Sequence, residues 1–185
     1  AYDVTSSLVG SEMCIRDRDV IAHEIVEPNS DCLNELVDYF GDSILNDDKT
    51  LNRKKLASIA FSDKQKTEAL SNITHKYIKA EVVKDINTTD AELVGIDGAV
   101  IIGSNVEPLC EFIVSVIADK QSRITRIKTR DNITDEQAIQ RINAQNDDEF
   151  YKENSMYIIY NNGDIAQLES DVVGLFNKIK GNSFE

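Results

Sequence analysis

The chain has 185 residues, a mass of 20.7 kDa, 41% hydrophobic residues and a formal net charge of −13. That length can bury one good core and is most simply one domain, with room for a subdomain. The negative charge argues against general affinity for nucleic acid or an anionic membrane, which need a positive field, but leaves room for an anionic small ligand held by a few local cations.

Residues 1–18, AYDVTSSLVGSEMCIRDR, show neither strand alternation nor a helical stripe. Within them, SSLVGSEMCIRDR resembles the peptide obtained when sequencing-adapter DNA is read as coding sequence. Native sequence is therefore expected to begin near Asp19, with residues 1–18 a non-native fusion scar. The other reading is a divergent N-terminal strand.

From Asp19 the texture is regular. Ser30 is placed to cap a helix with Leu33, Leu36, Val37 and Phe40 on its apolar face and Gly41 as its stop. Residues 42–50 are polar and turn-like. Asn52 to Ala60 reads as a short helix burying Leu56 and Ile59. Ser62-Asp63-Lys64-Gln65 is a capping-box pattern opening a long helix with Leu70, Ile73, Tyr77 and Val82 on one face. The runs Leu93 to Ile102 and Phe112 to Ala118 are nearly unbroken in apolar residues, as expected for strands covered on both faces. Asp119 caps a helix ending near Arg130. Thr134-Asp135-Glu136-Gln137 is a second capping box, opening a helix through about Gln145. Asn146 to Ser155 is polar and expected to be mobile. Met156 to Tyr160 reads as a strand, Asn161-Asn162-Gly163 as a turn, and Asp164 as the cap of a last helix with Ile165, Leu168, Val172, Leu175 and Ile179. Strands alternating with helices predict an α/β fold with a parallel sheet. The helices between Ser30 and Asp85 interrupt that alternation as an insertion.

The cysteines Cys14, Cys32 and Cys110 are odd in number and widely spaced, which suggests neither a disulfide framework nor a zinc site. No apolar run reaches the length of a membrane span, and no signal peptide pattern opens the chain. A reducing cytoplasm is the expected setting.

Arg123, Arg126 and Arg130 recur at helical spacing, and Arg141 follows. Arg126 and Arg130, four apart, can face one way and hold phosphate oxygens; the plainer reading is a solvated face paired with local acids. His23 and His75 are the only histidines. Asp17 and Asp19, two apart, would share a side on a strand end and could bind a metal or accept a hydroxyl proton, or could equally be exposed turn residues.

Several runs then combine. Asp17-Arg18-Asp19-Val20-Ile21-Ala22-His23 has an Asp-x-Asp pair followed by apolar residues. Asn52-Arg53-Lys54-Lys55-Leu56, Phe61-Ser62-Asp63 and Leu70-Ser71-Asn72-Ile73-Thr74-His75 come next. Ile96-Asp97-Gly98-Ala99, Leu109-Cys110-Glu111, Arg126 to Asp131, Arg141-Ile142-Asn143-Ala144-Gln145 and Tyr157 to Gly163 complete the set. In order and approximate spacing, from Asp19 to the C-terminus, this resembles the dephospho-coenzyme A kinase family.

The resemblance implies a three-layer, P-loop NTPase-like parallel sheet with a helical insertion. One domain would cover 19–185, with an acceptor-binding insertion at about 30–90 and a lid at about 119–155. It implies transfer of the γ-phosphoryl of ATP, with Mg2+, to the ribose 3′-hydroxyl of dephospho-coenzyme A. Carried over residue by residue, Asp17 and Asp19 are the catalytic acids, Asp17 orienting or deprotonating the hydroxyl. Arg53, His75 and Asp97 fall in the acceptor region. Arg126, Arg130 and Arg141 fall in the lid, and Asn161 and Gly163 near the adenine. No dedicated metal ligand is assigned, and the ligands expected are ATP and dephospho-coenzyme A, with neither nucleic acid nor membrane.

The departures matter as much. No Gly-x-x-x-x-Gly-Lys-Ser/Thr loop and no Gly-Lys pair occur in the chain, so the first strand and phosphate loop are missing or replaced. Ala99 stands where the family has Pro, Gly103 where an acid is common, and Asp148 to Lys152 lacks the usual Pro and Lys. Asp17 also falls inside the segment read as a scar. The sequence as given is therefore expected to be inactive or nearly so. The alternatives are a non-catalytic module binding a coenzyme-A-like ligand, or a related nucleotide or nucleoside kinase.

Overall fold

The computed structural model describes residues 13–182. Of the scar expected over 1–18, residues 1–12 lie outside the described residues; residues 13–18 form a strand and the start of a helix, as the alternative of an N-terminal strand has it. Within them, residues 13–109 and 110–182 form two compact units.

In the 13–109 unit, β1 (Met13–Asp17) pairs in parallel with β2 (Leu93–Asp97), in register from Met13↔Leu93 to Asp17↔Asp97. Parallel strands need a long crossover, and here the whole helical insertion supplies it. Helix α1 (Arg18–Glu24) starts directly from β1, because Asp17 Oδ1 accepts the Asp19 (2.7 Å) and Val20 (3.3 Å) amides. Asp17 and Asp19 therefore do not share a strand end, as their spacing had suggested; Asp17 caps the helix whose first turn holds Asp19.

Helix α2 (Asp31–Phe40) runs from its Ser30 cap to Gly41, which takes φ 83°, a conformation that costs a side chain dearly. Helix α3 (Arg53–Ala60) is capped by Asn52. Helix α4 (Lys64–Thr88) has 25 residues, a rod of about 37 Å. Its cap is Asp63, which accepts the Gln65 amide at 2.7 Å, not the Ser62 box expected. Ser62 Oγ instead donates to Ile59 O, closing the preceding turn. Two good capping residues stand side by side, and three positions after Asp63 comes Lys66, which cannot complete a box.

The rod serves two cores. Toward its start, Ile73 joins Val26, Cys32, Leu36, Ile44 and Leu56, with Ile59 partly buried at the margin. Toward its end, Ile78 and Val82 join Ile21 and Val106. Polar ties reinforce it. Lys76 Nζ (2.7 Å) and the Tyr77 hydroxyl (2.6 Å) both donate to Glu35 Oε2, holding that carboxyl below its usual range, and Arg16 pairs with Asp85 at 2.6 Å. Burial pushes the Cys32 thiol up to about 11, with the Glu35 charge adding to the shift. Cys32 is therefore expected to resist a thiol reagent at neutral pH that labels Cys14 and Cys110; labelling of Cys32 at a comparable rate in the folded chain would refute this.

The strand expected over Leu93 to Ile102 stops at Asp97. Asp97-Gly98 is a turn signal inside an apolar run, and Val100 beyond it is exposed. Hydropathy alone runs through such a break.

In the 110–182 unit, β3 (Val114–Ile117) pairs in parallel with β4 (Tyr157–Tyr160). Asp119 caps α5 (Lys120–Asp131), which ends on Asn132 in the left-handed region. The Thr134–Gln137 capping box opens α6 (Asp135–Asn143) as expected. The stretch expected to be polar and mobile instead forms α7 (Asp148–Glu153), because Asp147 accepts the Phe150 amide at 2.9 Å. Helix α8 (Ile165–Asn182) follows its Asp164 cap; Ile179 is buried but Ile165 is exposed, against expectation. Ile124, Ala138 and Ile142 make this unit's core. Full cover for β3 also fails: Val116 is 58% exposed, while Ser115 on the other face is buried with its hydroxyl 2.6 Å from that of Ser155. No described helix is long and apolar enough to cross a membrane.

Candidate functional site

Ligands of open α/β sheets gather at the carboxyl ends of parallel strands. In the 13–109 unit those ends are Asp17 and Asp97, direct register partners. Neighbouring strands lie about 4.8 Å apart and register partners send side chains to the same face. The sheet thus brings together two carboxylates that are far apart in sequence. Asp17 Oδ1 is occupied by the helix amides, and Oδ2 has no protein donor among the described residues. Among the described residues no three Asp, Glu, His or Cys side chains gather as a metal centre.

His75, on α4, is partly buried, and its Nδ1 lies 3.5 Å from Ser71 Oγ. Its backbone carbonyl accepts from Asn105 Nδ2 at 2.7 Å. Burial first, and the nearby Arg18 charge second, lower its proton affinity below the ordinary 6.5. Between the folded value and 6.5 the unfolded chain binds more protons, so stability rises with pH across that window. The contribution is complete above the unfolded value and is lost as pH falls through the folded one. His75→Gln is expected to flatten that acid-side slope in urea titrations run from pH 7 downward; an unchanged slope would count against it. Arg53, the first residue of α3, is exposed and makes no ion pair among the described residues.

The lid arginines separate in the 110–182 unit. Arg130 grips Asp131 with two contacts, Nε to Oδ1 at 2.7 Å and Nη2 to Oδ2 at 3.0 Å, and Arg141 binds the same carboxylate. These guanidinium contacts hold the Asp131 carboxyl below its usual range. That is the solvated, locally paired reading of the arginine series. Arg126 differs: it is exposed and has no ion pair among the described residues. Arg123 pairs with Asp148 at 2.9 Å. With Lys120 it lines a cleft of about 650 Å³ facing Asp147, Asp148 and Glu149, a cleft that Arg126, Arg130 and Arg141 do not line. Asn161 donates its amide to Ile117 O at 2.7 Å, and Asn162 Oδ1 accepts the Asp119 amide at 2.8 Å. The β4 exit is thereby fastened to the start of α5, with Gly163 exposed beside it.

The structure brings Asp17 to Asp97 and His75 to Arg18. It commits Arg130 and Arg141 to Asp131 and leaves Arg53 and Arg126 free of ion pairs among the described residues. Arg18 as a buried cation and Asn105 escape a sequence reading. The only available hint was the odd cation between Asp17 and Asp19.

A family model described as Dephospho-CoA kinase matches residues 3–167. A Dephospho-CoA kinase of Lactobacillus johnsonii is 33% identical over 168 residues, covering 89% of this chain and 85% of that protein. One from Listeria monocytogenes serovar 1/2a is 32% identical over 182 residues, covering 97% and 91%. Among solved structures, TT1252 from Thermus thermophilus superposes with TM-score 0.74 at 21% identity, over 90% of this chain and 84% of that one, which speaks for the fold. A dephospho-CoA kinase from Campylobacter jejuni gives TM-score 0.65 at 26% identity, over 92% and 87%. The fold is α/β of the P-loop NTPase-like type. With family match, relatives and structural likeness in agreement, the chain belongs to the dephospho-CoA kinase family.

Proposed function

We propose that this protein phosphorylates the ribose 3′-hydroxyl of dephospho-coenzyme A with ATP, completing coenzyme A. The observation that carries this reading is the Asp17–Asp97 pair at the carboxyl ends of adjacent parallel strands. Asp17 Oδ2 accepts the proton of the 3′-hydroxyl as its oxygen attacks the γ-phosphorus; the bond from that phosphorus to the bridging oxygen breaks, and ADP leaves. Asp97 and His75, with Arg53 on the helical insertion, face the acceptor. In the 110–182 unit, Arg126, without an ion pair among the described residues, is the lid cation whose charge is available to phosphate oxygens, and Asn161 and Gly163 are the residues assigned to the adenine. Mg2+ would arrive with the nucleotide, held chiefly by its phosphates, and would neutralise their charge. An odd number of widely spaced cysteines suits a reducing, cytoplasmic setting.

The sequence given holds no Gly-Lys pair to cradle the nucleotide's phosphates. The chain as given is therefore expected to bind dephospho-coenzyme A in calorimetry yet show background turnover in a coupled assay with ATP, Mg2+ and acceptor. Turnover typical of a kinase would overturn the loss, and absence of acceptor binding would overturn the site. Asp17 allows a sharper check. Asp17→Asn keeps a good helix cap and should leave stability nearly unchanged, whereas Asp17→Ala should cost about 1 kcal/mol. Equal losses would mean that Asp17 does not work through its cap.

A further inference from the structure

We propose that Arg18 anchors an oxyanion subsite in the 13–109 unit, and that the group it takes is a phosphate of the acceptor's diphosphate. Arg18 is the only charged residue in the buried set of the described chain, at 9% exposure. Its Nε is buried without an acceptor, and among the described residues no carboxylate pairs with its guanidinium. Its sequence neighbours Asp17 and Asp19 are both exposed. The stem is held firmly: an ideal Cβ on Gly98 would sit 3.1 Å from Arg18 Cβ and 3.3 Å from Arg18 Cδ. The side chain thus packs over the backbone just past the end of β2. A buried guanidinium nitrogen without an acceptor is costly, and an anion entering beside it removes that cost.

A second buried atom lacks a partner in the same unit. Asn105 Oδ1 has no donor, although its Nδ2 is fixed on the backbone of His75. His75 is the residue whose ring senses Arg18. One empty donor and one empty acceptor are therefore both tied to His75. Dephospho-coenzyme A offers phosphate oxygens and amide N–H groups, the complementary set. Only the identity of the source rests on the function proposed above; the oxyanion chemistry does not.

The test uses the full chain, with Arg18→Met and Arg18→Lys, and inorganic pyrophosphate, dephospho-coenzyme A and ATP as separate probes. By calorimetry, Arg18→Met is expected to weaken pyrophosphate and dephospho-coenzyme A by about tenfold or more. Its ligand-free melting temperature should stay level or rise, because an unpaired buried charge is gone. Arg18→Lys, which keeps the charge but not the Nε fork, should fall between. Pyrophosphate should also raise the pH at which the His75 ring C–H signal titrates in the wild-type chain, and not in Arg18→Met. A purely structural arginine predicts the reverse: a lower melting temperature with unchanged affinity, which would overturn the proposal. Weakening of ATP alone would overturn the acceptor as source. Pyrophosphate binding that depends on Arg18, in a chain that does not bind dephospho-coenzyme A, would sustain the subsite and overturn the function. No pyrophosphate binding by the wild-type chain would overturn the subsite.

Discussion

Leu36→Ala is expected to lower folding stability by about 2–5 kcal/mol. Leu36 is fully buried at the middle of α2, within the cluster of Val26, Cys32, Ile44, Leu56 and Ile73. Truncation removes apolar surface that was wholly out of water. It also leaves a cavity that the surrounding helices close only in part. Urea unfolding followed by far-UV circular dichroism reads the loss as a lower midpoint at unchanged slope. A loss below about 1 kcal/mol would show that the site collapses freely, against the close packing seen here.

Gly98→Val is expected to cost about 1–3 kcal/mol through overpacking. The new Cβ alone would lie 3.1 Å from Arg18 Cβ and 3.2 Å from Ile101 Cδ1, and the two methyls press further. Gly98→Ala should cost less than Val. The effect should be coupled to Arg18 only in part: Arg18→Ala removes the Cδ contact at 3.3 Å but keeps the Cβ contact at 3.1 Å, so the valine's cost should fall by less than its full amount. A cost unchanged by Arg18→Ala would place the clash on Arg18 Cβ and Ile101 and not on the arginine stem. Because Gly98 follows Asp97, this variant also links the packing of the turn to the site at the end of β2.

Much of the local structure is legible in the sequence. Ser30, Asn52, Asp119, Asp164 and the Thr134–Gln137 box act on amides two or three residues away, so a short window contains cap and partner alike. The same logic explains the errors. Ser62 and Asp63 compete within one window, and the Ser62 hydroxyl is taken by the Ile59 carbonyl, which leaves the cap to Asp63. The Leu93 to Ile102 run ends early as a strand, at Asp97, where hydropathy does not register Asp97-Gly98 as a break. Helix α7 is hard to read because its polar residues conceal the Asp147 cap and the Phe150–Tyr151 edge contact.

By itself the sequence determined the α/β class, several of the helix caps and, through the ordered motifs from Asp19 onward, the family. Each of these depends on residue type and short-range spacing. Tertiary structure alone decided which charges meet. It set Asp17 beside Asp97 across a parallel ladder, paired Arg16 with Asp85, and buried Arg18 against the Gly98 turn. Charge pairing and desolvation are set by neighbours far along the chain, and those neighbours are fixed only when the strands register and the helices pack.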